Sequence, residues 1–208
     1  MRYGLVLDLT RCLGCHACSL ACKVENATGP GVFWSRVSQF EEGQYPEVRR
    51  AYIPRLCMHC DRPACVTVCP TKATFKDPRG FVPVDEDKCI GCGACVLACP
   101  YQARYLNPGQ SYFSEFQAPW GEACTGHRQG TAGKCTFCAH LVLEGLQPAC
   151  VEACPTRARI FGDLDDPQSE VALIIAREEV FQMEAELNQD PSVYYLPPRS
   201  YRFRGRSR

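Results

Sequence analysis

Seventeen cysteines stand among 208 residues, and sixteen of them fall into four groups of four. The first group is Cys12, Cys15, Cys18 and Cys22, and the second is Cys57, Cys60, Cys65 and Cys69. The third is Cys89, Cys92, Cys95 and Cys99, and the fourth is Cys135, Cys138, Cys150 and Cys154. Groups one and three read C-x2-C-x2-C-x3-C; the middle gap opens to C-x4-C in group two and to C-x11-C in group four. Thiols at this density serve as disulfide staples, as structural zinc ligands or as iron–sulfur ligands. Disulfide frameworks belong to exported chains, yet Met1-Arg2-Tyr3-Gly4 runs directly into an apolar strand pattern with no leader-like segment. Structural zinc uses two close pairs of ligands separated by a loop, whereas here three or four thiols crowd together. The run C-x2-C-x2-C-x3-C-P is the bacterial ferredoxin pattern: three thiols wrap one cubane and the fourth reaches its neighbour. Pro70, Pro100 and Pro155 follow groups two, three and four, while group one ends in Cys22-Lys23. The spacing predicts an iron–sulfur protein with four [4Fe–4S] clusters.

Short elements must hold these thiols. Cys18 and Cys22, like Cys95 and Cys99, are four residues apart, so short helices through Ala17–Ala21 and Ala94–Ala98 join each pair. Gly14, Gly91, Gly93, Ala17 and Ala94 leave room for the backbone to approach a cluster. Strands are expected at Tyr3–Leu7 and Phe81–Val84 leading into the groups, and at Thr74–Lys76, Arg104–Leu106 and Arg159–Phe161 leading out, with a turn at Asp77-Pro78-Arg79-Gly80. The groups also repeat: Asp8 and Asp85 each stand four residues before a first cysteine, and Pro63-Ala64-Cys65 through Ala73 parallels Pro148-Ala149-Cys150 through Ala158. The fold class read from this is α+β, a duplicated bacterial-type two-cluster ferredoxin-like fold with a C-terminal helical extension. The metal centres supply much of its folding energy, so the metal-free chain should fold poorly.

The rest of the chain narrows the function by exclusion. Formal net charge is zero, which argues against a nucleic-acid partner. No G-x-G-x-x-G, P-loop or nucleophile–base set is present, so the chain is expected to have no catalytic site of its own. The longest aliphatic run, Val171 to Ala176, is too short to span a bilayer. Residues 1–167 form the cluster frame, with insertions at 24–52 and 107–134; residues 168–208 form a C-terminal helix and tail for partner docking. That helix is expected from Ser169 to Leu187 on a stripe of Val171, Ile174, Ile175, Val180 and Met183, and Tyr194-Tyr195-Leu196 is expected to join it in docking. Cys124 and His127 in the second insertion read as ordinary loop residues, and Arg199, Arg202, Arg204, Arg206 and Arg208 as a solvated tail. Lys23, Lys72, Lys88, Lys134 and Arg157 adjoin the ligand groups and are candidates to offset cluster charge.

Four such motifs in this order, with the long gap in the fourth and Gly162-Asp163-Leu164-Asp165-Asp166-Pro167 after it, resemble the electron-transfer subunits of dimethyl-sulfoxide-reductase-family molybdoenzymes. Similar subunits serve polysulfide, thiosulfate, tetrathionate and respiratory arsenate reductases. The resemblance implies that groups two and three form one half and groups one and four the other. It then assigns Cys12, Cys15, Cys18 and Cys154 to one cluster, and Cys57, Cys60, Cys65 and Cys99 to a second. Cys89, Cys92, Cys95 and Cys69 go to a third, and Cys135, Cys138, Cys150 and Cys22 to a fourth. It implies a large catalytic partner with a molybdenum or tungsten bis-pterin cofactor and a membrane anchor subunit that reacts with quinone. The chain would then lie peripheral to the membrane through its partners, on a side that the sequence leaves open. Two rival readings remain: a polyferredoxin-like subunit of a hydrogenase or formate dehydrogenase, and a zinc-stabilised interaction module.

Overall fold

Strand β1 (Tyr3–Asp8) is buried from Gly4 to Asp8, as a strand with neighbours on both edges must be. The computed structural model describes residues 1–110 and 127–198; Cys124 and the tail arginines lie outside the described residues. After β1 come α1 (Ala17–Glu25), the hairpin strands β2 (Ser35–Glu42) and β3 (Arg49–Leu56), and the one-turn helices α2 (Ala64–Thr67) and α3 (Ala94–Leu97). Strands β4 (Tyr105–Leu106) and β5 (Ala132–Gly133) follow, then α4 (Ala139–Leu143), α5 (Ala149–Glu152), β6 (Arg159–Asp163), α6 (Glu170–Arg177) and β7 (Val193–Leu196).

Three small sheets organise these elements. The first has the order β6-β1-β7, with β1 antiparallel to β6 and parallel to β7. The second is the antiparallel pair β2-β3, and the third the two-residue pair β4-β5. The main core gathers Leu5, Leu7, Trp34, Leu56, Phe81, Phe137, Phe161 and Tyr195, with Cys22, Cys57 and Cys135 inside the same cluster of contacts. Thiols thus occupy positions that aliphatic side chains fill in most cores. A second, smaller core forms where Val171 of α6 packs on Val6 and Ile160.

Several expected elements differ in extent. α1 runs on to Glu25, past the expected end at Ala21. Residues 35–56 form a regular hairpin inside what reads as an insertion, and Val32 and Trp34 just before it are core residues. Thr74–Lys76 and Phe81–Val84 reduce to a single bridge between Thr74 and Val84. The C-terminal helix starts as expected, with the Ser169 hydroxyl accepting from the Ala172 N–H at 3.2 Å, but it stops at Arg177. Beyond it Phe181 exchanges both backbone hydrogen bonds with Tyr195, at 2.9 and 2.8 Å, and stacks on its ring. Two backbone bonds and an aromatic contact outweigh the weak local preference for another turn of helix. Tyr195 itself is fully buried, and its hydroxyl donates to the Pro54 carbonyl at 2.9 Å, so this aromatic ties β7 to β3 of the second sheet.

Val171 is fully buried and faces Gly162, where an added Cβ would stand 3.1 Å from it. Val171→Ala should cost about 2 kcal/mol by loss of buried area and an unfilled gap. Thermal unfolding of the iron-loaded protein should show a melting temperature lower by about 4–8 °C, with iron content unchanged.

Candidate metal centres

Matching aspartates set the entry to two of the cysteine groups. Asp8 Oδ1 accepts from the Thr10 N–H at 2.8 Å, and Asp85 Oδ1 accepts from the Asp87 N–H at 3.0 Å. Each carboxylate also pairs with a cation three residues on, Arg11 at 3.1 Å and Lys88 at 2.7 Å. These side chains close the tight turn that aims the following loop. The loop then needs left-handed backbone: Gly14 and Gly91 both have φ of 69°, and His16 and Gly93 precede α1 and α3 at 61° and 73°. Gly91 has a further constraint, because a Cβ there would sit 2.3 Å from the Gly130 carbonyl oxygen.

The folded chain gathers the thiols across groups. Cys12, Cys15 and Cys18 line a cavity together with Cys154. Cys57, Cys60 and Cys65 line a second with Cys99, and Cys89, Cys92 and Cys95 a third with Cys69. Cys22 lies beside Cys138 and Cys150, and Cys135 beside Cys22 and Cys150, so these four crowd together as well. They are called below the first, second, third and fourth quartets, where the fourth is Cys135, Cys138, Cys150 and Cys22. Among the described residues no set of three or more His, Cys, Asp or Glu side chains is disposed to hold a single metal ion. A quartet of thiols around a cavity is the donor arrangement of a multi-atom cluster.

Amide donors surround the sulfurs. Cys69 accepts from the Thr74 N–H at 3.5 Å, Cys89 from Ala132 at 3.3 Å, Cys99 from Ala103 at 3.5 Å and Cys154 from Ala158 at 3.2 Å. The Asn26 amide reaches Cys22 at 3.6 Å and Cys138 at 3.9 Å. The recurring Cys-Pro-Thr of groups two and four has a purpose here: Thr71 and Thr156 bring hydroxyls to Cys69 and Cys154, at 3.8 and 3.7 Å. Burial works to raise these two thiols, but the amides and hydroxyls outweigh it and hold both below the ordinary value. Elsewhere burial wins. Cys138 is pushed up to about 11 by burial and by Cys150, and Cys22, Cys60 and Cys135 are raised by burial and then by neighbouring thiols. Thiols so placed ionise together only when a positive centre offsets their repulsion, which iron supplies.

The cations differ from those the sequence singles out. Lys23 gives its ammonium to the carbonyls of Thr28, Gly29 and Val32, Lys88 is the partner of Asp85, and Lys72 and Arg157 are not buried. Of the five only Lys134 is buried. Arg104 and Arg159, not among the five, are buried beside thiols: Arg104 donates to Cys65 Sγ at 3.1 Å and Arg159 to Cys150 Sγ at 3.4 Å. The available signal is position, since each stands five residues after the last cysteine of its group. His127 pairs with Glu86 at 2.6 Å and hydrogen-bonds the Asn26 carbonyl at 2.9 Å, so its ring is turned to protein oxygens.

Thiol quartets ringed by N–H donors on a mixed frame of helices and strands define an iron–sulfur protein. Residues 48–118 and 109–164 match the family model of a 4Fe-4S dicluster domain, and residues 9–26 that of a 4Fe-4S binding domain. The chain is 40% identical to the arsenate respiratory reductase iron–sulfur subunit of Shewanella sp. strain ANA-3, over 94% of this chain and 96% of that one. It is 45% identical to a putative dimethyl sulfoxide reductase iron–sulfur subunit of Halobacterium salinarum, over 93% and 78%. It is 42% identical to a tetrathionate reductase subunit of Salmonella typhimurium, over 94% and 72%. The chain belongs to the iron–sulfur electron-transfer subunits of dimethyl-sulfoxide-reductase-family molybdopterin oxidoreductases.

Gly91→Ala should remove the third quartet's cluster, because the new methyl collides with backbone at a residue that already needs positive φ. Iron content should fall by about four per chain. Gly93→Ala, where the nearest atom to the added Cβ is 4.0 Å away, should keep its iron and lose only about 1–2 kcal/mol of stability.

Proposed function

We propose that the sixteen grouped cysteines hold four [4Fe–4S] clusters with the crossed pairing of the quartets above, and that the chain relays electrons between a large pterin-containing catalytic subunit and a quinone-reactive membrane subunit. The observation that carries this reading is the gathering of three thiols from one group with one from another. Bound clusters supply reversible one-electron storage. The residues of the chain fix the sites and direct amides and guanidinium groups at the sulfurs. Helix α1 carries Cys18 and Cys22, members of different quartets, on one face, which sets the separation of two sites within a rigid element.

A duplication supports the same arrangement. His59 and Phe137 hold equivalent places in groups two and four, two residues after the first cysteine, with φ of 43° and 56°. Their rings stack on each other with centroids 3.8 Å apart, as two copies would across a pseudo-twofold axis. His59 Nδ1 accepts from the Val82 N–H, so Nε2 carries the proton and donates to the Cys135 carbonyl at 2.9 Å. Burial and the nearby Lys134 hold its pKa well below the ordinary value, so it serves as a neutral linker between halves.

Among the described residues no helix is long and apolar enough to cross a membrane, which fits attachment to the membrane through partner subunits. The names of the relatives place them in reductases of arsenate, dimethyl sulfoxide and tetrathionate. We assign this chain the same place in a complex of that class. Purification from the native source in mild detergent should yield it with a large pterin-containing subunit, about sixteen irons per chain and no stoichiometric zinc. Elution as a free ferredoxin would overturn the complex. Cys22→Ser should perturb the cluster signal of the fourth quartet and spare the first; the reverse would overturn the crossed pairing.

A further inference from the structure

Buried cations are few among the described residues, and they are not scattered. Arg104, Lys134 and Arg159 are 4%, 2% and 3% exposed, and none meets a carboxylate among the described residues. Each lies where two quartets adjoin. Arg104 lines the cavity of the second quartet, donates to its Cys65, and also holds the hydroxyl of Thr74, which lines the cavity of the third. Arg159 lines the cavity of the first quartet and donates to Cys150 of the fourth. Lys134 donates to the carbonyl of Cys135 in the fourth quartet at 2.7 Å, and its ammonium lies 3.4 Å from the ring of His59, which stands between Cys57 and Cys60 of the second.

The polar partners of these groups are too weak to account for them as internal ion pairs. Arg104 has the Thr74 hydroxyl at 3.0 Å, and Arg159 the Ser35 hydroxyl at 3.0 Å. Lys134 has three donors and one carbonyl acceptor; the His59 Nε2 at 3.4 Å already carries a proton and offers it nothing. A cation buried with neutral partners is costly unless an anion stands close by. An oxidised cubane on four thiolates carries about two negative charges, and reduction adds one more. The cations therefore alternate with the quartets in the order third, Arg104, second, Lys134, fourth, Arg159, first.

We propose that Arg104, Lys134 and Arg159 are shared counter-charges, each one raising the reduction potentials of both clusters that flank it and screening the repulsion between them. This rests on the four-cluster reading. Neighbouring sites are then tuned in pairs, because a charge placed between two anionic centres stabilises the reduced form of each. The two arginines reach their junctions from different repeats, one after group three and one after group four, while the position five residues after group two holds Thr74, the hydroxyl partner of Arg104.

The test is a redox titration of the whole complex, followed by electron-spin signals assigned with cysteine-to-serine variants of each quartet. Wild type must first show four clusters; fewer would refute the reading beneath the proposal and not the proposal's logic. Arg104→Gln should lower the potentials of the second and third clusters together, with the reduced-to-oxidised ratio at the wild-type midpoint falling about tenfold, or about 59 mV for one electron. Lys134→Gln should do this to the second and fourth, and Arg159→Gln to the fourth and first. Arg104→Lys and Arg159→Lys should keep both flanking potentials within about threefold of wild type in the same ratio. A glutamine variant with four intact clusters that shifts one potential, or none, overturns the proposal. Should a glutamine variant lose iron, the charge-keeping variant decides: the lysine variant for either arginine, and Lys134→Arg for Lys134. Retained potentials support a role for charge, and a tenfold fall shows that the forked hydrogen bond, not the charge, is what matters.

Discussion

Like charges confined at close range govern this molecule. Each quartet brings four sulfurs together, and three of them line cavities of their own. Left to themselves the thiols resist ionisation, through burial first and through one another second. The surrounding structure answers that repulsion with dipoles and a few fixed cations. Left-handed residues turn amides inward, threonines add hydroxyls at Cys69 and Cys154, and two arginines reach sulfur directly. The answer is local at the ends of groups two and four, where nearby hydroxyls and amides lead in holding the thiols low, and reaches further at Cys65 and Cys150, where a guanidinium beyond the ligand group is brought to the sulfur.

The ligand groups are legible in the sequence because their geometry is local: three thiols within one loop leave little freedom, and the ferredoxin spacing states which loop it is. Asp8 and Asp85 are visible as a repeat, though their task of closing an Asx turn emerges only from the fold. Arg104 and Arg159 are hidden for a physical reason. An arginine in a short strand reads as a solvated residue, and only the packing of the exit segments behind the cavities buries it. The β2–β3 hairpin escapes a reading of the sequence because charged pairs toward its tip, Glu41 with Arg50 among them, dilute the alternation that marks a strand. The C-terminal helix reads as longer than it is because its apolar stripe continues through Val180 and Met183 in the sequence, while in space Phe181 belongs to Tyr195.

The stretch that reads as an insertion, with the end of β3 just beyond it, is integral to the frame. Trp34 and Leu56 enter the main core, Ser35 anchors Arg159, and the Pro54 carbonyl receives the Tyr195 hydroxyl. The hairpin thus supports one of the buried guanidinium groups and the edge of the first sheet at once. An element that carries no ligand fixes the surroundings of two quartets.

The placement of β1 between β6 and β7 governs the order in which the protein can be built. Its partners arrive only with residues 159–163 and 193–196, toward the far end of the chain. On the proposed pairing the second and third quartets, by contrast, draw all their thiols from residues 57–99, although Arg104, Ala132 and Gln189 close their cavities later. The first quartet must wait for Cys154 and the fourth for Cys150, with Cys12 to Cys22 uncovered in the interval. Contacts of such long sequence separation close slowly. On that pairing the amino-terminal thiols wait longest for their partners, and exposed thiolates are the ones open to oxidation in the interval.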